Sequence, residues 1–218
     1  MTRQGLPSLK GLAVLFVAIA IFWVPFAYYY VIPSTAANPA STTGSGQSSS
    51  TFQLTLAEIM NEPWGSNMVQ PRFFVMGPNG MTPADNIILP VNTRIQLTII
   101  SYDTPTTGST DQMGKVSGTV GGNVYMINGT SASGTDMMAK WGQNVTAVPG
   151  AMLAHTFTMP QLGISIPVVG GDTEVAYLYL TQTGTYSWFC QTPCGSGPMG
   201  MMGAMSTSGW MTGQVTVR

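Results

Sequence analysis

The chain has 218 residues, of which 7% are charged, with a formal net charge of −1. That length holds one anchor and one domain of about 150 residues, and the scarcity of basic side chains excludes a phosphate backbone or an anionic membrane surface as a partner, so no nucleic acid is expected. The 26 Gly and 15 Pro indicate a β-rich body with many turns.

Residues 1–10 carry Arg3 and Lys10, and residues 11–32 (GLAVLFVAIAIFWVPFAYYYVI) follow without a charge. A spanning helix needs about 20 apolar residues, so this run reads as a transmembrane segment. The next basic residue is Arg72, so the charge bias puts residues 1–10 in the cytoplasm and all that follows outside the cell membrane, extracellular or periplasmic. Tyr28, Tyr29 and Tyr30 suit the outer headgroup level, and Pro25 is placed to kink the helix. A cleaved signal peptide ending near Ser34 to Ala37 is the rival reading, against which stands an apolar run longer than a signal core. Residues 33–50 are small, polar and turn-forming, and read as a flexible linker. The sequons Asn128-Gly-Thr and Asn144-Val-Thr make Asn128 and Asn144 glycosylation candidates, in keeping with an external domain.

From residue 51 to 218 short runs rich in Val, Ile, Thr and aromatics alternate with Gly, Pro and Asn, the pattern of an all-β antiparallel sandwich. The predicted strands are Phe52 to Leu56, Arg72 to Met76, Asn86 to Leu89, Arg94 to Ser101, Leu153 to Met159, Val175 to Leu180, Gly184 to Phe189 and Gly213 to Val217. Residues from about 103 to 150 lose this alternation and read as an insertion on the sandwich, with a hairpin from Val116 to Val120 and Asn123 to Ile127 as its one regular piece. No repeat is evident at a solenoid period.

The chemistry gathers after residue 150. Cys190-Gln-Thr-Pro-Cys194 follows the strand-like TYSWF and leads into GSGPMGMMG, which sets two thiols on one short loop beside several thioethers. Soft ligands of this kind select copper. The single histidine, His155, stands in an alternating strand, and strands of a sandwich bring such residues to one pole. A mononuclear site from His155, Cys190, Cys194 and Met201 is one reading. A Cys190–Cys194 disulfide in an oxidising exterior is another, and free thiols or another metal a third. Met199, Met201, Met202, Met205 and Met211 read as interface packing or as a Cu(I)-delivery cluster, and Trp188 and Trp210 as core or interface aromatics. Hydrolase chemistry is excluded: one histidine and no paired carboxylates leave no general base.

HTFTMPQL, beginning at His155, and GTYSWFCQTPCG, beginning at Gly184, resemble in order the two signatures of subunit II of haem–copper terminal oxidases. In that family the histidine of the first and both cysteines of the second hold a dinuclear copper-A centre. The stretch ILPVNTRIQLTIISYD is similar to the strand pair that usually precedes the histidine segment. The resemblance implies a cupredoxin-like Greek-key sandwich on one N-terminal transmembrane helix. It also implies partners: the catalytic subunit I with its haem and copper, and other membrane subunits.

The departures bear on function. The family's second copper histidine falls at Pro198, whereas Met201 falls at its methionine. Thr192 stands for its glutamate, which leaves a carbonyl but no carboxylate, and Trp64 is isolated in the sequence, with no aromatic run for cytochrome c docking. A dinuclear centre needs a second imidazole that this chain lacks. The resemblance is therefore closest to quinol-oxidising members, in which electrons from a membrane quinol enter elsewhere, and this subunit is expected to be non-catalytic and structural, with no cofactor of its own. The alternatives are an electron-transfer subunit holding copper on His155, Cys190, Cys194 and Met201, and a membrane-anchored copper chaperone.

Overall fold

A computed structural model describes residues 51–65, 67–127 and 142–218. The N-terminal segment 1–10, the run 11–32 expected to span a membrane, the expected linker 33–50 and the sequon at Asn128 lie outside the described residues. Among the described residues no helix is long and apolar enough to cross a membrane.

The described residues form two sheets of twelve strands: β1 (Phe52–Trp64), β2 (Met68–Gly77), β3 (Gly80–Pro83), β4 (Asn86–Leu89), β5 (Arg94–Ser101), β6 (Val124–Met126), β7 (Gln143–Val145), β8 (Leu153–Met159), β9 (Ile164–Val169), β10 (Thr173–Tyr179), β11 (Gly184–Phe189) and β12 (Thr212–Val217). The seven-stranded sheet runs β3-β2-β1-β5-β10-β6-β7 and the five-stranded sheet β4-β12-β11-β8-β9. Alternation drives the choice of face. In β5, Ile95, Leu97 and Ile99 are fully buried while Arg94, Gln96 and Thr98 face outward; Ala176 and Leu178 of β10 and Val215 and Val217 of β12 repeat the pattern.

Between the sheets lie Leu56, Phe73, Ile95, Leu97, Met126, Leu153, Phe157, Met159, Ile166, Trp188 and Val215. Trp188 is the largest of them. It stacks on Phe157 at 5.1 Å, meets Phe73 edge-on at 5.5 Å, and donates its indole N–H to the Ala84 carbonyl at 3.0 Å. A buried indole thus meets its one polar need inside the core.

The sandwich expected from the sequence is the fold observed, with four corrections. It is mixed rather than antiparallel, since β1–β5 and β12–β4 pair in parallel. The hairpin expected from 116–127 does not form. β6 pairs with β7 and β10 instead, and Ser117 bridges to Ser165, so the stretch after Asp103 adds two short strands to the edge of the larger sheet. β1 runs eight residues past Leu56, through an irregularity between Ile59 and Glu62. β3 and β9 were not expected at all. β3 is exposed along its length and β9 carries Pro167, and both are outermost strands, the position where proline costs no ladder bond to a neighbour on its free side.

Candidate metal centre

His155 lies in β8, every residue of which is buried. The β8–β9 register shifts between Leu153 and His155: Leu153 faces Val169 while His155 faces Val168, so Ala154 is an extra residue. Such a bulge re-aims the side chain beside it. Its carbonyl is held twice, by the Thr106 hydroxyl and by the Thr192 hydroxyl, each at 2.8 Å. The first anchors the start of the stretch after Asp103 and the second the cysteine loop.

Cys190 continues the inward face of β11, two residues after Trp188, and is 1% exposed. Its backbone N–H donates to the Met211 carbonyl at 2.9 Å, and the next N–H, of Gln191, donates to the Thr156 hydroxyl at 2.8 Å. The loop is thereby fixed to β8 and to the start of β12. The Cys190 sulfur lies 3.4 Å from the Thr156 N–H, 3.1 Å from the Thr192 hydroxyl, 3.4 Å from Cys194 Sγ and 3.8 Å from His155 Nδ1. The side chains of His155, Cys190 and Cys194 each offer one ligand atom within 4.8 Å of the others.

The methionines divide in a way the sequence did not show. Met205 Sδ lies 3.1 Å from Cys194 Sγ, whereas Met201, the expected thioether, is half exposed and lines a cleft of about 640 Å³ together with Phe189 and Cys190. Met211 is fully buried in the core, and Met199 is 86% exposed. The reason is the turn after Cys194. The N–H groups of Gly195 and Ser196 donate to the carbonyls of Gly200 and Met202, which throws residues 197–201 outward and brings Met205 back against Cys194. Gly195 permits this closeness: a Cβ there would meet the Met202 carbonyl and come within 2.8 Å of Met205 Cγ. Pro198, in the place of the second histidine, is exposed on the outward part of this turn.

The disulfide, one of the three readings of the cysteine pair, is not supported by this geometry. Both cysteines are free thiols, with sulfurs 3.4 Å apart rather than the roughly 2.05 Å of a bond. Trp64 is likewise not isolated in space, since its ring meets Trp210 edge-on at 4.5 Å and the Arg72 guanidinium lies 4.6 Å from the Trp210 ring. The remaining sequon residue, Asn144, is exposed in β7 and sits opposite Tyr125.

Two functional residues were missed. Glu58 of β1 and Asp103, just beyond β5, converge on the far nitrogen of His155: Nε2 lies 2.9 Å from Asp103 Oδ2 and 3.2 Å from Glu58 Oε1. Glu58 Oε2 accepts the Ser101 hydroxyl at 2.9 Å, while Oε1 has no hydrogen-bond partner; its approach to Nε2 is an ion-pair contact. The signal for Glu58 was its register, since Leu54, Leu56 and Glu58 share the core-facing side of β1. A charge on an apolar face asks for a buried partner.

Burial alone would push His155 down, but the Glu58 carboxylate, the Asp103 hydrogen bond and the two cysteines outweigh it and hold the imidazole well above 6.5. Burial likewise opposes ionisation of Cys190, yet contacts with Cys194, His155 and Thr192 bring its thiol well below 9.0. Cys194 moves the other way, raised by its contact with the Cys190 sulfur and by burial. The two thiols are thus shifted in opposite directions, Cys190 toward ionisation and Cys194 away from it, while the imidazole is shifted toward its protonated form.

The donors fit copper. Two cysteine sulfurs, one thioether and one imidazole nitrogen form a soft set, already gathered and largely shielded from water. They do not fit a copper-A pair, for want of the second imidazole.

No protein-family model and no curated protein matches the chain. Among solved structures it is similar to the periplasmic domain of subunit II of cytochrome oxidase from Bradyrhizobium japonicum, with 13% identity, 76% of this chain and 83% of that one covered, and a TM-score of 0.33. It is also similar to a chain of a heme-copper terminal oxidase dimer, with 11% identity, coverage of 96% and 97%, and a TM-score of 0.35. Rusticyanin from Thiobacillus ferrooxidans follows, with 17% identity, coverage of 82% and 85%, and a TM-score of 0.31.

Proposed function

We propose that this chain is a membrane-anchored, externally facing cupredoxin-type domain of the oxidase subunit II kind, whose dinuclear centre has been reduced to a site for one copper ion. The observation that carries this reading is the convergence of His155 Nδ1, Cys190 Sγ, Cys194 Sγ and, through Cys194, Met205 Sδ at one buried pole. Supporting it are the paired signatures at His155 and Cys190–Cys194 and the apolar run at 11–32.

Bound there, copper supplies a one-electron centre. The protein supplies the rest. Cys190, whose thiol is lowered well below 9.0 by its contacts with Cys194, His155 and Thr192 against the cost of burial, yields its proton more readily than a free thiol, Cys194 and Met205 close the site from the loop, and the Thr106 and Thr192 hydroxyls hold the bulge from which His155 projects. Lacking the second imidazole, the domain is not a copper-A relay for cytochrome c, and we assign the complex a membrane quinol as its electron donor, with the haem–copper catalytic subunit as partner. In that setting the domain is chiefly structural, and copper held by His155, Cys190, Cys194 and Met205 would tie the 190–205 loop to β8.

The test is purification of the full chain from its native membrane, with metal analysis and optical spectroscopy. One copper per chain, no copper-A band, and co-purification with a large haem protein that oxidises quinol are expected. Two coppers per chain with a copper-A band would overturn the mononuclear site, as would a copper-free chain. Copper with no haem partner would favour the chaperone.

A further inference from the structure

We propose that Glu58 and Asp103 are positioning residues of this centre: together they hold the Nε2 proton of His155, so that Nδ1 alone is presented to the cysteine and methionine side. The inference rests on the reading of His155 as a copper ligand.

The two ring nitrogens face different chemistry. Nδ1 looks toward Cys190 Sγ at 3.8 Å, and Nε2 looks toward two carboxylates at 2.9 and 3.2 Å. The acids are built in rather than adventitious. Glu58 is fully buried, and the parallel pairing of β1 with β5 sets it opposite Ser101, whose hydroxyl fixes one carboxylate oxygen. The other oxygen is left without a hydrogen bond and faces Nε2. Asp103 is anchored separately, accepting the Thr104 N–H at 2.6 Å through Oδ1 while its own N–H meets Ser101 Oγ at 3.3 Å. Ser101 therefore braces both acids. His155 comes from the smaller sheet and the acids from the larger, so the ring is gripped across the sandwich.

A carboxylate on the far nitrogen of a metal-bound histidine fixes the tautomer and ring orientation and raises the basicity of the ligand. Two carboxylates act in the same sense and favour the higher charge on the metal, so the acid pair stabilises Cu(II) over Cu(I). The same three groups also lie close enough together to be considered for a cation at Nε2, although three donors fall short of the roughly six or more that a hard cation takes. The Asp103 hydrogen bond already occupies that nitrogen, and the soft donors stand on the other, which decides for positioning.

The chain has one histidine, so the full chain labelled with ¹⁵N-histidine gives two ring-nitrogen signals and no others. On anaerobic addition of Cu(I), the Nδ1 signal is expected to shift and lose its proton while Nε2 keeps a proton protected from exchange. In Glu58→Gln/Asp103→Asn, Nε2 protection is lost, Cu(I) affinity falls roughly ten- to hundredfold and the reduction potential of the bound copper rises, with a cooperative thermal transition retained. The single variants give intermediate values and serve if the double variant does not fold. A shift at Nε2 instead of Nδ1, unchanged affinity and potential in the variants, or stoichiometric binding of Mn(II) by the wild type would each overturn the proposal. A wild type whose Nδ1 ignores Cu(I) would sink the copper reading. The acid pair's grip on the ring is then still decided by Nε2 exchange in the metal-free protein.

Discussion

The hydroxyl of Thr192 donates to the carbonyl of Ala154 at 2.8 Å, which joins the middle of the cysteine loop to the bulge that aims the histidine. Thr192 is fully buried, and its oxygen also lies 3.1 Å from Cys190 Sγ. Thr192→Val keeps the shape and removes both contacts. A stability loss of about 1–2 kcal/mol in denaturant unfolding is expected, together with weaker copper binding. Unchanged copper affinity would show that the loop is held to β8 without this link.

Met205 and Met201 make opposite predictions. Met205→Leu removes the thioether beside Cys194 and is expected to lower copper affinity by roughly tenfold, about 1.4 kcal/mol. Met201→Leu, at the half-exposed wall of the cleft, is expected to leave equilibrium affinity unchanged. Competition titrations with a Cu(I) chelator separate the two, and equal losses would restore Met201 as a ligand.

Stability is expected to fall as pH rises from acid, because of Glu174. Burial, followed by the nearby Asp172, lifts its carboxyl well above 4.5, although the Val169 N–H, donating to Oε1 at 2.6 Å, partly opposes this. The folded state therefore binds this proton more tightly than the unfolded chain does. The stabilisation is complete below about pH 4.5 and is lost as pH rises through the higher folded-state value. Thermal melts of the wild type should show a falling midpoint across that window, and Glu174→Gln should flatten it. An equally steep slope in the variant would assign it to other groups.

Trp188→Ala removes the largest fully buried side chain and strands the Ala84 carbonyl. A loss of about 3–5 kcal/mol is expected. Cys190 is two residues away on the same face, so copper binding should fail with the fold rather than separately.

Much of the sandwich was legible because alternation and β-branching act locally. Asn86–Leu89, Arg94–Ser101, Leu153–Met159 and Gly184–Phe189 have the bounds their patterns imply. The strands that escaped notice owe their place to partners instead. β3 borrows its pairing from β2, and β9 is held by β8 despite Pro167. His155, Cys190 and Cys194 were identifiable by residue type and do meet. Which methionine joins them depends on a turn closed by the carbonyls of Gly200 and Met202, which no spacing rule encodes. Glu58 and Asp103 were hidden for another reason: each is ordinary along the chain, and only the packing of two sheets places both on one imidazole.

The stem beneath the stretch after Asp103 has a consequence for its length. Thr106 is tied to β8 twice, its N–H to the Leu153 carbonyl at 2.7 Å and its hydroxyl to that of Ala154, and Val116 and Val148 continue the seam through Thr146 and Gly114. The excursion is therefore closed at its root, next to the metal donors. Closing a flexible loop costs only about 0.6 kcal/mol more for each doubling of its length. Its outer part is thus free to grow, shrink or acquire new surface at little thermodynamic expense, while the residues that aim the imidazole stay where they are.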